Sequence, residues 1–66
     1  MPYRRLARIL ADNGFRPVGQ RGSHVKWRGP DGRHVIVPHH AGAAVDAGLV
    51  RAILRQAGLD PQAFRR

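Results

Sequence analysis

The sequence predicts an α+β fold with the element order α-β-β-β-α, in which two helices cover one face of a three-stranded antiparallel sheet. Apolar residues recur every three or four positions near both ends of the chain, as in amphipathic helices. Between these ends, apolar and polar residues alternate, as in strands that are buried on one side. At 66 residues, the chain is expected to form a single domain, residues 1–66, with little room for an enclosed pocket.

The first helix is predicted from Tyr3, Leu6 and Leu10, whose spacing places them on one helical face. Gly14 is suited to end this helix, because a residue without a Cβ atom readily adopts the positive φ of the C′ position. Phe15 would then lie at C″, within reach of Leu10.

Three extended segments are predicted after the first helix, with the sequences FRPVGQ, SHVKWR and RHVIVP. Pro17 indicates an edge strand for the first segment, because proline cannot donate to a strand ladder. GPDG separates the second and third segments and has the proline and glycine positions of a tight turn. The three segments are therefore expected to form an antiparallel meander.

The second strand alternates strictly between apolar and polar residues. Val25 and Trp27 point to one side, and His24, Lys26 and Arg28 point to the other. Trp27 could stack on a nucleic-acid base, but its alternation with Val25 favours a place in the core. The polar side chains would then lie on the sheet face that the helices leave uncovered.

The second helix is predicted to run from Asp46, as N-cap, to about Ala57, with Gly58 as its C′ residue. A further short turn is capped by Asp60 and begins at Pro61. The residues expected to form the apolar stripe of the helix are Leu49, Val50, Ile53, Leu54 and Ala57. The opposite face, with Arg51 and Arg55, is expected to be a solvated surface, and phosphate contact is the alternative.

Charge is the strongest global signal. Twelve Lys and Arg residues against four Asp residues give a net charge of +8, and residues 1–33 alone hold eight basic and two acidic side chains. This balance favours a polyanion such as nucleic acid as the partner. Solubility alone, or an acidic protein partner, would account for the same charge.

Several classes of site and location are excluded or disfavoured. Cysteine is absent, which excludes disulfides and thiolate metal sites and fits a cytoplasmic location. The N-terminal segment has no uninterrupted apolar run, so no signal peptide and no membrane partner are expected. His39 and His40 are adjacent, and no carboxylate stands at ligand spacing from any histidine, so no metal or other cofactor is expected.

His24 is the candidate for chemistry. A histidine can act as general base or acid near neutral pH, and RNA carries its own nucleophile in the 2′-hydroxyl. Lys26 and Arg28 on the same face could stabilise a charged phosphorane, and this reaction requires no metal. On the residues alone, a solvated histidine on a strand surface is the favoured interpretation.

Four motifs in this order resemble the HicA (YcfA-like) family of toxin ribonucleases. They cover nearly the whole chain, and the ordered set is far more specific than Gly-Ser-His alone. The motifs are NGF (residues 13–15), RGSH (21–24), VPHH (37–40) and GLVRAILRQAGL (48–59).

The resemblance implies a fold like that of double-stranded-RNA-binding domains, metal-independent cleavage of mRNA, and inhibition by a cognate HicB antitoxin. It also implies that His24 is catalytic, and the Pro-x-His pattern of the family falls on His40. Arg21, with Lys26 and Arg28, is expected to contact RNA, and Ser23 and His40 are candidate auxiliary residues. Direct DNA binding by the toxin alone is not expected.

The sequence departs from a conventional double-stranded-RNA-binding domain at the start of the second helix. That place reads VDAGLV and lacks the usual lysines, which puts duplex binding in doubt. A non-catalytic RNA- or DNA-binding module and a protein-docking module are the alternative functions. The second proton-transfer group stays open between His40, His34 and solvent.

Overall fold

A computed structural model of the chain describes residues 1–64 and confirms the predicted α+β architecture. The last two residues of the predicted domain, 65 and 66, lie outside the described part. No helix within residues 1–64 is long and apolar enough to cross a membrane. The elements are α1 (Tyr3–Asp12), β1 (Arg16–Arg21), β2 (His24–Arg28), β3 (His34–Pro38), α2 (Ala47–Gln56) and a short 3₁₀-helix (Pro61–Phe64).

The three strands form an antiparallel sheet in the order β1-β2-β3, so β2 is the central strand. Arg21 pairs with His24, which leaves a turn of two residues between β1 and β2. Gly22 occupies the first turn position with a φ of 57°, a value that favours glycine. The predicted GPDG turn joins β2 to β3, and Gly32 there has a φ of 83°.

Both helices pack on the same face of the sheet, where their apolar residues join those of β2 and β3 in one cluster. Trp27 is buried in this cluster, as its alternation predicts. Leu49 is not part of the core, contrary to expectation: it is 39% exposed because it lies on the outer side of α2. The fully buried members of the core are Leu6, Leu10, Val35, Val37, Ile53 and Leu54.

The helix ends follow the predicted chemistry. At the end of α1 the Phe15 N–H donates to the Leu10 carbonyl at 2.9 Å, while Gly14 has a φ of 85°. This is the Schellman arrangement, and α2 repeats it, since the Leu59 N–H donates to the Leu54 carbonyl at 2.8 Å. The Asp46 carboxylate caps the start of α2 by accepting the backbone N–H of residue 48 at 3.0 Å.

The ring of Phe15, which follows α1, packs closely against the backbone of Gly29 at the end of β2. A Cβ atom added at Gly29 would lie 2.6 Å from Cζ of Phe15, well inside van der Waals contact. Glycine at this position therefore allows Phe15 to fill the core beneath the β2–β3 turn. The orientation of β2, and with it the side that His24 faces, is set by this packing and by Val25 and Trp27.

Candidate functional site

The sheet face opposite the helices, called the open face below, is not covered by any element within residues 1–64. Directly paired residues of antiparallel strands point to the same side, so the register arranges the open face in three rows across the sheet. The first row is Arg21, His24 and Pro38, the second is Gly19, Lys26 and Ile36, and the third is Arg16, Arg28 and His34.

The open face carries four permanent positive charges and, within residues 1–64, no carboxylate. The cations are Arg16, Arg21, Lys26 and Arg28, all exposed. The four Asp residues lie elsewhere: one ends α1, one lies in the β2–β3 turn, and two cap helices. Such a separation of charge favours the approach of a polyanion to the open face.

His24 lies at one end of the open face, immediately after the β1–β2 turn and directly across from Arg21. Its side chain is exposed, and within residues 1–64 it makes no hydrogen bond or ion pair. Lys26 occupies the next position on the same side of β2. The ring can therefore meet a ligand that lies along the cationic rows.

The other histidines occupy three different environments. His34 pairs with Arg28 in the third row, four residues along β2 from His24, which corresponds to about 13 Å of strand. His39 turns to the helical side, where its ring stacks on Tyr3 with centroids 3.7 Å apart and planes 7° apart. His40 is exposed in the segment that follows β3. Within residues 1–64, no three His, Asp or Glu side chains form a metal-binding cluster.

A comparison with protein-family models covers both α-helices and all three strands. A family model described as the HicA toxin of bacterial toxin-antitoxin systems matches residues 3–59, from the start of α1 to just beyond α2. The chain belongs to the HicA toxin family. Membership implies a toxin that acts with an antitoxin partner. No curated protein and no solved structure shows significant similarity to the chain.

Two of the motifs that resemble HicA meet at one end of the open face. The His39 N–H donates to the Ser23 carbonyl, which extends the β2–β3 pairing by one residue beyond His24 and Pro38. The RGSH turn and the VPHH segment are therefore neighbours in this HicA protein. His40 follows this contact directly, which leaves it a candidate to act near His24, whereas His34 lies in the far row.

Basic residues lie on both sides of the HicA fold. Arg51 and Arg55 lie on α2 and line an open groove of about 720 Å³ with Val50 and Leu54, on the helical side. They are thus separated from His24 by the sheet. Arg16, in contrast, joins the open face although the sequence did not single it out.

The position of Arg16 depends on an irregularity in β1. The register shifts between Pro17 and Gly19, so simple alternation along β1 does not predict which side chains share a face with β2. Pro17 and Gly19 were the available signals, because both residues are common at strand bulges. Ile36 was missed for a different reason: RHVIVP is apolar enough to be read as buried on both sides, yet Ile36 is 45% exposed.

Proposed function

We propose that this HicA protein is a toxin endoribonuclease, an mRNA interferase, whose substrate lies across the open face with the scissile phosphate at His24. The observation that carries the proposal is the position of His24 in the first of three rows that hold four cations and no carboxylate. A cytoplasmic location is part of the proposal, because mRNA is translated there. Cleavage of mRNA there would inhibit translation and growth.

In the proposed reaction, His24 acts as the general base that removes the proton from the 2′-hydroxyl of the RNA. The 2′-oxygen forms a bond to the adjacent phosphorus, and the bond from phosphorus to the 5′-oxygen breaks. The departing 5′-oxygen takes a proton, either from His40 or from water. The products are a 2′,3′-cyclic phosphate and a free 5′-hydroxyl, and the proton count balances without a metal.

The cations of the open face bind the negatively charged phosphates of the substrate and stabilise the negative charge of the phosphorane. Arg21 and Lys26 flank His24 and are placed to contact the scissile phosphate, and Arg28 contacts a phosphate further along the strand. Ser23 is half-buried in the turn, and its proposed auxiliary role is indirect: its carbonyl accepts a hydrogen bond from the His39 N–H and so holds the turn that precedes His24.

Single-stranded RNA fits the open face better than a duplex does. The start of α2, where duplex-binding domains carry lysines, is here an aspartate-capped turn without a basic residue between positions 45 and 50. An open, shallow sheet surface accommodates a flexible strand without such a clamp. DNA has no 2′-hydroxyl, so it is not a substrate in this chemistry.

The antitoxin partner is proposed to be a HicB protein that covers the open face. An acidic surface would pair with the four cations there and would exclude RNA from His24 at the same time. Inhibition then follows from steric exclusion and requires no change in the fold of the toxin.

A non-catalytic RNA-binding module is the second candidate. It is favoured by one observation: within residues 1–64, no side chain orients the His24 ring by a hydrogen bond. Such a module would bind RNA through the same cations and leave it intact.

Induced expression in a bacterial host separates these functions. The wild-type chain should arrest growth and shorten mRNA, His24→Ala should do neither at equal protein level, and co-expressed HicB should restore growth. Arrest by His24→Ala equal to that of wild type, or arrest with full-length mRNA, would contradict the nuclease proposal.

A further inference from the structure

The ring of Tyr3, at the start of α1, and the ring of His39, after β3, stack face to face across 36 residues of chain. Their centroids are 3.7 Å apart and their planes differ by 7°. Tyr3 is half-buried and packs against the core, whereas His39 is largely exposed. The stack therefore fixes an otherwise exposed segment to a helix that is held in the core.

The tyrosine side of this contact is anchored twice. Leu6, one turn after Tyr3, is fully buried. The chain just before Tyr3 is bridged to the segment before α2, since the Val45 N–H donates to the Met1 carbonyl at 2.7 Å and Pro2 pairs with Ala44. Tyr3 is thus a fixed support for the His39 ring.

On the histidine side of the contact, the backbone of His39 is hydrogen-bonded to the residue that precedes His24. The His39 N–H donates to the carbonyl of Ser23, and Ser23 is bonded to His24. Around the turn that precedes His24, no atom lies within 4 Å of a Cβ placed at Gly22, and one side-chain hydrogen bond, from Gln20 Nε2 to the Gly22 carbonyl at 3.0 Å, joins the turn to β1. The bond from His39 therefore restrains the backbone next to His24, in addition to the pairing of His24 itself with Arg21 and Pro38.

We infer that the Tyr3–His39 stack positions His24 for cleavage, so that Tyr3 and His39 are positioning residues of the reaction proposed above. Both rings lie on the helical side of the sheet, whereas His24 and the cations lie on the open face. Neither ring can therefore contact an RNA strand on the open face, and their effect passes through the Ser23 backbone. This inference rests on the proposed nuclease function.

The first test measures kcat and KM for cleavage of a single-stranded RNA. Tyr3→Ala and His39→Ala should each lower kcat by about tenfold, as expected for a small displacement of a catalytic group. KM should change by less than twofold, because the open-face cations remain in place. Tyr3→Phe and His39→Phe preserve a stacked pair of rings and should retain most of the wild-type kcat.

Leu59→Ala is the matched control for a loss of stability alone. Leu59 is also half-buried against the core, but it lies near Pro30 and Asp31, at the opposite end of the sheet from the β1–β2 turn. It should lower the melting temperature without changing kcat below that temperature. A wild-type kcat in Tyr3→Ala, or an equal fall of kcat in Leu59→Ala, would overturn the inference.

Amide hydrogen exchange gives a readout that does not depend on catalysis. The His39 amide should exchange faster in Tyr3→Ala than in the wild type and in Tyr3→Phe, because loss of the ring contact loosens its bond to Ser23. Unchanged exchange would overturn the inference while leaving the nuclease proposal intact. If instead the wild type does not cleave RNA, the proposed function fails, and the positioning role fails with it.

Discussion

His24→Ala is expected to lower kcat for RNA cleavage by about a thousandfold, within the range that general acid–base catalysis contributes. The substitution removes the proposed base but leaves the backbone and the four open-face cations unchanged. RNA should therefore bind to the variant nearly as well as to the wild type. Single-turnover cleavage of a labelled single-stranded RNA, with binding measured separately, checks both parts.

His34→Ala is the matched control for this result. His34 is also an exposed histidine on the open face, but it lies in the third row, across from Arg28. It should change kcat by less than threefold. Equal losses in both variants would show that histidines matter only for the charge or shape of the face. A normal rate in His24→Ala would rule out the proposed mechanism.

Neutralising three cations of the open face is expected to weaken RNA binding by about a hundredfold at 0.1 M salt. The triple variant carries Arg21→Gln, Lys26→Gln and Arg28→Gln. Each phosphate contact to a single strand contributes about 0.7 to the slope of log affinity against log salt, so three lost contacts reduce the slope by about 2. The difference from wild type should therefore shrink as salt approaches 1 M, which a salt titration of the affinity measures.

A second triple variant with the same change in net charge provides the control. Arg4→Gln, Arg5→Gln and Arg51→Gln remove three exposed cations from the helices and leave the open face intact. For this variant, the slope of log affinity against log salt should differ from that of the wild type by no more than about 0.7, the contribution of one contact. If both triple variants lose affinity equally, RNA is attracted by the overall charge and not by the open face.

The parts of the fold that depend on local chemistry were predictable from the sequence. Gly14 and Phe15 define the end of α1 because only nearby residues take part in a Schellman ending. His24, Lys26 and Arg28 were assigned to one side of β2 because a regular strand alternates and the residues between them are apolar. The common side of these three residues, which is what the structure shows, was therefore predictable from the sequence.

Features that depend on distant parts of the chain were not predictable in this way. The stack of Tyr3 on His39 joins residues far apart in sequence, and neither periodicity nor composition reports such a pair. The place of Arg16 follows from a shift of register in β1, which alters the alternation on which the prediction depends. Leu49 has the right helical spacing for the core, yet it is 39% exposed on the outer side of α2.

The proposed metal-independent cleavage is tested by the chemistry of the ends that the wild-type protein produces from RNA in the presence of EDTA. Attack by the 2′-hydroxyl should give 2′,3′-cyclic phosphate ends, together with the phosphate formed by their opening, and 5′-hydroxyl ends. An RNA of the same sequence with 2′-O-methyl groups throughout should stay intact. Loss of cleavage in EDTA, 5′-phosphate ends, or cleavage of the 2′-O-methyl strand would contradict an attack by the 2′-hydroxyl that His24 assists.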